Sequence, residues 1–140
     1  MPAKPGTALT FRGDELHNYG HAKLVVDRVA LLDAKGLRLV DALLPTGHDF
    51  IGYDNHYPPT KTFRDAVGSA WEHRAPAVGA TIAPQADTTA HTHNLVVAVR
   101  VTGDAKARMT GVIVDYPVGG TEYQWHNITS LVVETKKAQC

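Results

Sequence analysis

A chain of 140 residues, 44% hydrophobic and 20% charged, has the length and composition of one folded domain with a buried core rather than of a disordered segment. Fourteen Lys and Arg offset fourteen Asp and Glu, and no basic stripe is present, so nucleic acid is not expected as a partner. No window approaches the roughly 20 apolar residues that cross a bilayer, so no membrane span is expected in this chain.

Residues 1–20 are rich in Pro, Gly and polar groups and read as an irregular N-terminal arm with a short turn at Asp14-Glu-Leu-His17. Met1-Pro-Ala-Lys-Pro-Gly6 lacks the apolar segment of a signal peptide. The remainder, 21–140, reads as a single β-sandwich domain. Ala22–Leu32 is rich in β-branched and aliphatic residues, and a turn at Asp33-Ala-Lys-Gly36 predicts a hairpin with Leu37–Leu44.

Between Pro45 and Pro76 the composition shifts to Gly, Pro, Tyr, His and Asp, which predicts one long loop of the kind that carries function. A short helix is predicted over Thr62–Trp71, with Phe63, Val67 and Trp71 on one face and Gly68 against it. Strand patterns return at Ala77–Ile82 and at Asn94–Thr102, where Leu95, Val97, Val99 and Val101 alternate onto one apolar face. Gly103–Lys106 turns the chain into Thr110–Tyr116, and Val118-Gly-Gly-Thr121 closes a hairpin into a long strand at Glu122–Glu134. About seven strands with regularly spaced turns predict an all-β, antiparallel sandwich of immunoglobulin-like type.

The order Val-Asp-Arg-Val-Ala-Leu, Gly-Leu-Arg-Leu-Val, Tyr-Pro-Pro, Pro-Ala-Val-Gly-Ala, Asn-Leu-Val-Val-Ala-Val-Arg, Gly-Val-Ile-Val-Asp-Tyr and Val-Gly-Gly-Thr-Glu-Tyr runs through roughly residues 22–133. In this it resembles small exported or membrane-tethered β-domain proteins of actinobacteria whose function is unassigned. The resemblance implies a β-domain carried outside the membrane by an N-terminal anchor. An extracytoplasmic setting is therefore expected if such an anchor precedes the chain, and a cytoplasmic one otherwise. Pro117 and the abundance of histidine depart from the pattern, and the shared motifs punctuate strands and turns rather than carry chemistry.

Eight histidines are the one compositional excess. His91-Thr-His93 places two imidazoles on one side of an extended chain, and His126, His48 or His56 would supply a third ligand for zinc or copper. The expected metal set is His91, His93 and His126, with Asp49 or Asp54 as a carboxylate base for a metal-bound water. The competing expectation is no cofactor and solvated or structural histidines. The second candidate site is the loop, where Phe50, Tyr53, Asp54, His56 and Tyr57 combine rings with hydrogen-bonding groups as a small-molecule pocket does. Alternatively, Phe50, Tyr53 and Tyr57 plug one end of the sandwich.

Trp71 and Trp125 read as packing residues. On a strand, Tyr123 and Trp125 share one side while Gln124 and His126 share the other. Asn127-Ile-Thr129 fits a glycosylation acceptor, but inside a predicted strand the match reads as chance. Cys140 reads as an exposed terminal thiol. No nucleophile elbow, phosphate loop or dinucleotide fingerprint occurs, and catalytic residues are not assignable. The leading expectation is a binding module for a small molecule or protein, using the 45–76 loop. The alternatives are a histidine metal protein or metalloenzyme, and a cofactor-free enzyme with Tyr and His as acid and base. Exposed edge strands would favour a homodimer.

Overall fold

The segment Thr92–Val101 runs extended through the middle of the largest sheet, hydrogen-bonded along both edges. The computed structural model describes residues 2–44, 46–47, 53–54, 56–67, 72, 74–84, 92–103, 106–127 and 130–135; of 2, 3, 12–15, 46, 47, 53, 63, 66, 67, 92–94 and 135 it describes the backbone alone. In chain order the described elements are β1 (Pro2–Ala3), β2 (Ala8–Leu16), β3 (Leu24–Val25), β4 (Arg28–Leu32), β5 (Leu37–Leu44), β6 (Thr46–Gly47), β7 (Tyr53–Asp54), α1 (Lys61–Val67), β8 (Ala75–Pro76), β9 (Thr81–Ile82), β10 (Thr92–Val101), β11 (Ala107–Met109), β12 (Gly111–Val118), β13 (Thr121–His126) and β14 (Leu131–Thr135).

The large sheet has the order β7-β2-β10-β5-β8, with β6 also on β10; the others are β13-β12-β4, β1-β14-β11 and β3-β9. The protein is all-β, and among the described residues the strand pairs are antiparallel apart from the parallel β1–β14 pair. Its sheets meet in one core. Leu9, Phe11, Leu95, Val97, Val99 and Val101 from the large sheet join Val29, Val112 and Val114 from the second and Met109 and Val133 from the third. Facing apolar surfaces of separate sheets make the packing sandwich-like.

The alternating face predicted for β10 is in this core, but Val96 and Ala98 are buried as well. A central strand is covered on both sides, and a near-continuous apolar run is the sequence consequence. The predicted turn at Gly119-Gly120 also forms, with φ of 56° and 82°. Both residues take the left-handed conformation that a two-residue hairpin turn of the primed type demands.

Four expectations are corrected. The arm at 1–20 contains β2, which pairs with β10 over eight register positions and buries Leu9, Phe11 and Leu16. Ala22–Leu32 and Leu37–Leu44 do not form a hairpin: β4 pairs with β12, whereas β5 pairs with β10 and β8. Asp33, at φ 49°, and Gly36, at φ 72°, turn the chain between the two sheets instead. Ala77–Ile82 is not one strand, because residues 77–80 turn between β8 and β9. Glu122–Glu134 divides at Asn127 into β13 and β14, which lie in different sheets.

Asn127 makes that division possible. The buried Val112 N–H donates to Asn127 Oδ1 at 2.7 Å, and the Asn127 N–H donates to the Val112 carbonyl at 3.2 Å. The side chain thus substitutes for a strand carbonyl as the chain leaves β13. It is buried, so Asn127-Ile-Thr129 offers no exposed acceptor for a glycan.

The predicted helix is present as α1, and the long loop is interrupted by β6, β7, α1 and β8. Trp71, Gly68, His48, Asp49, the turn residues 104–105 and Cys140 lie outside the described residues.

Candidate functional site

The predicted loop site rests on the outer face of the large sheet. Leu43, Val96 and Ala98 are buried there without belonging to the central core cluster. Ala98 stands in register with Thr10 on one side and Asp41 on the other. Both neighbours hold the loop. Thr10 Oγ1 donates to the His56 carbonyl at 2.7 Å, and the Tyr57 hydroxyl donates to Asp41 Oδ2 in a short hydrogen bond.

Asp54 fixes the same segment internally. Buried at the end of β7, it accepts from Thr60 N–H at 2.8 Å, Thr60 Oγ1 at 2.7 Å, His56 N–H at 3.0 Å and His56 Nδ1 at 3.1 Å. Desolvation alone would raise this carboxyl, but the hydrogen bonds from Thr60 and His56 outweigh it and hold the carboxyl below its ordinary value. A depressed carboxyl contributes stability above its unfolded-state value and loses that contribution as pH falls through the folded-state value. Asp54→Ala should therefore lower stability by about 2 kcal/mol at neutral pH in urea unfolding, with the deficit shrinking under acid conditions.

Tyr57 shows the opposite sign. Desolvation and its hydrogen bond to Asp41 push the phenol up to about 12, with Arg74 opposing. Its contribution is complete below the ordinary phenol value of about 10 and is lost as pH rises through the folded value. Tyr57→Phe is expected to remove the part of alkaline destabilisation that falls between those limits, measured by melting temperature against pH. A profile unchanged by the substitution would contradict the assignment. Of the remaining predicted loop residues, Phe50 lies outside the described residues, and of Tyr53 only the backbone is described.

A second concavity lies on the other side of the large sheet, where the sequence carried no expectation. After β2 the chain folds back as a strap over residues 17–22, pinned by buried Asn18. Its Nδ2 donates to the carbonyls of Ala22, at 2.8 Å, and Ile82, at 3.0 Å, while Oδ1 accepts the Gly20 N–H at 3.0 Å. Both amide hydrogens are committed, so the strap is tied to β9.

Beside it is a cavity of about 70 Å³ whose lining is mostly apolar, with Leu16, Leu24, Val26, Ile82, Val114 and Trp125 joined by His17 and Tyr116. The cavity adjoins a cleft of about 680 Å³ bounded by the strap residues His17–Ala22 and by Leu24, Tyr116, Val118 and Trp125. His17 and Tyr19 stack with centroids 5.7 Å apart, and Tyr116 and Tyr123 stack at 6.0 Å.

Strand alternation makes the β12–β13 hairpin two-faced. Val114 opposes Trp125 and Tyr116 opposes Tyr123, so these four share the cleft side. Asp115 opposes Gln124 and Pro117 opposes Glu122 on the reverse side. There Asp115 accepts from Gln124 Nε2 at 3.1 Å and pairs with Arg28 at 3.5 Å. Desolvation and the Asp27 and Asp115 carboxylates raise Glu122. The acids thus lie behind the hairpin, and among the described residues no carboxylate lines the cavity or the cleft.

Of the predicted metal residues, the described part of the chain holds His126 and the backbone of His93. His126 is exposed at the end of β13, opposite Ile113, and its Nδ1 is 3.4 Å from the Asn127 carbonyl. The His93 backbone lies opposite Leu16 in the large sheet, and His91 is outside the described residues. Among the described residues no group of three or more His, Cys, Asp or Glu is arranged to hold a metal ion. No helix among them is long and apolar enough to cross a membrane.

Comparison with protein-family models, with characterised proteins and with solved structures yields no match.

Proposed function

We propose that the protein is a non-enzymatic binding module that takes the apolar end of a small molecule into the cavity beside the 17–22 strap. The observation that carries this reading is the cavity itself: an apolar pocket lined by Leu16, Val26, Ile82, Val114 and Trp125, adjoining a wider cleft whose lining includes polar side chains. Small-molecule sites combine these features, being concave, mostly apolar and provided with a few convergent polar groups. Protein interiors are otherwise close-packed, so an apolar void beside a cleft marks a place where an apolar ligand would restore contacts.

In the described part of the 45–76 loop the polar atoms of Asp54 and Tyr57 are engaged with the loop itself and with the sheet, which favours the strap as the place of ligand capture.

Fluorescence titration with the neutral apolar probe phenylnaphthylamine tests the proposal. The wild type should bind with enhanced emission. Val114→Phe, which adds bulk to the cavity lining, should weaken binding by about tenfold, or roughly 1.4 kcal/mol, in a protein that still melts cooperatively. Tyr57→Phe should bind as the wild type does. Undiminished binding by a folded Val114→Phe protein would refute the cavity as the site.

A further inference from the structure

We infer that two copies of this chain join edge to edge through β13, each strand pairing antiparallel with its twin about a two-fold axis at Gln124. In the sheet β13-β12-β4, β13 is a terminal strand, and among the described residues it is paired along one side only. Thr121–Gln124 and His126 are exposed and Trp125 is half-buried. Terminal strands are commonly guarded against pairing by Lys, Pro or a bulge. Thr121-Glu-Tyr-Gln-Trp-His126 contains neither Lys nor Pro, and its register with β12 is unbroken. The terminal strands of the large sheet, β7 and β8, are two residues each, and β8 ends in Pro76.

The hairpin determines which backbone groups face outward. Its two-residue turn makes Val118 and Thr121 a hydrogen-bonded pair, and such pairs alternate along an antiparallel ladder. Thr121, Tyr123 and Trp125 therefore direct N–H and C=O at β12, whereas Glu122, Gln124 and His126 direct theirs at the free edge. Two observations agree with this. Pro117 opposes Glu122, in a pair where β13 requires no N–H of it. The carbonyl of Asp115, opposite Gln124, points away from β13 and accepts from the Asp27 N–H at 2.8 Å.

A two-fold axis at Gln124 sets Glu122 opposite His126 of the second copy and Tyr123 opposite its Trp125. Each outward N–H then meets an outward carbonyl. Shifting the pairing by two residues towards the turn would set His126 against Gly120, which at φ 82° is not extended. Shifting it the other way would carry Glu122 past the end of the partner strand.

The side chains favour the same register. Tyr123 and Trp125 share one face, so the pairing builds an aromatic cross-strand contact there. On the reverse face Glu122 hydrogen-bonds Asp27 and lies in the field of Asp115, with Arg28 alongside Asp115. That end of β13 is acidic. His126 stands exposed at the other end, and the axis brings it against the acidic end of the second copy. An imidazole donates to a carboxylate as the neutral ring and more strongly as the cation. The contact is self-complementary and uses up the edge, so assembly closes at the dimer.

Sedimentation velocity of the whole chain over a range of concentrations tests the interface. A single strand edge is a small interface, so a dissociation constant of about 10 μM is expected, with no species larger than a dimer. Gln124→Pro removes an outward N–H that β12 does not use and should leave a monomer at about 200 μM that still melts cooperatively. His126→Glu sets two carboxylates against each other and should weaken dimerisation about tenfold; adding Glu122→His, which restores the pair with its roles exchanged, should recover it. The exchange variant decides the matter even if Gln124→Pro does not fold. A wild type that stays monomeric throughout, or a dimer that survives a folded Gln124→Pro, would overturn the interface. A loss in His126→Glu that Glu122→His does not recover would overturn the register.

Discussion

Val97→Asp is expected to leave the chain unfolded under conditions in which the wild type is native. Val97 is fully buried at the centre of β10, in register with Phe11 on one neighbouring strand and Ala42 on the other. The new carboxylate would face the core cluster with no cation to meet it, and an uncompensated buried charge costs at least several kcal/mol. Domain stabilities are about 5–15 kcal/mol, so the substitution removes most or all of the available stability. Far-UV circular dichroism and urea titration should show loss of the cooperative β transition. A variant that unfolds at the wild-type midpoint would contradict the placement of β10.

The second large effect is expected at Gly111, through close backbone approach rather than charge. A Cβ at this position would stand 2.3 Å from the Asn127 carbonyl oxygen and 2.9 Å from its Oδ1. Neither atom can yield cheaply, because the Asn127 backbone and side chain both bond to Val112. Gly111→Ala should therefore cost about 3 kcal/mol or more, through displacement of the bridge that separates β13 from β14. Gly103→Ala is the control: its Cβ would meet nothing within 4 Å, and a change of no more than about 0.5 kcal/mol is expected. Similar urea midpoints for the two variants would contradict the role given to Gly111.

What could be read in the sequence was local. The Gly119-Gly120 turn and the Leu95–Val101 alternation are specified within a few residues, and both are present in the fold. Which strand pairs with which is a different matter. Residues 28–32 and 37–44 are adjacent in sequence and carry a turn between them, yet each finds its partner far along the chain, in β12 and β10. A turn sequence specifies reversal of the chain and leaves open whether the two strands enter the same sheet.

β2 was hidden by its composition. Gly13, Asp14 and Glu15 dilute a pattern in which Leu9, Phe11 and Leu16 are the buried apolar residues, and the strand is sustained by its register with β10.

The cleft was illegible for the same reason. Its walls come from the end of β2, the strap, β3, β9 and the β12–β13 hairpin. The hydrogen bond that closes the strap joins Asn18 to Ile82, 64 positions away. Trp125 did carry a signal, since strand alternation put it on one side with Tyr123 and opposite His126. The structure turns that side towards the cleft, with Trp125 packed against the core and Tyr123 largely exposed. The aromatic loop at 50–57 was conspicuous in sequence, but Asp54 and Tyr57 draw its described part into structural hydrogen bonds.

Backbone amide chemical-shift mapping during titration with phenylnaphthylamine tests the central claim most directly, because it reports the strap and the loop in one experiment. The largest perturbations should fall on residues 16–24, on 114–118 and on Trp125, including its indole N–H, while 56–60 stays unperturbed. Perturbations concentrated on 54–60, with the strap and the β12–β13 hairpin unaffected, would contradict the assignment of the cleft as the binding site.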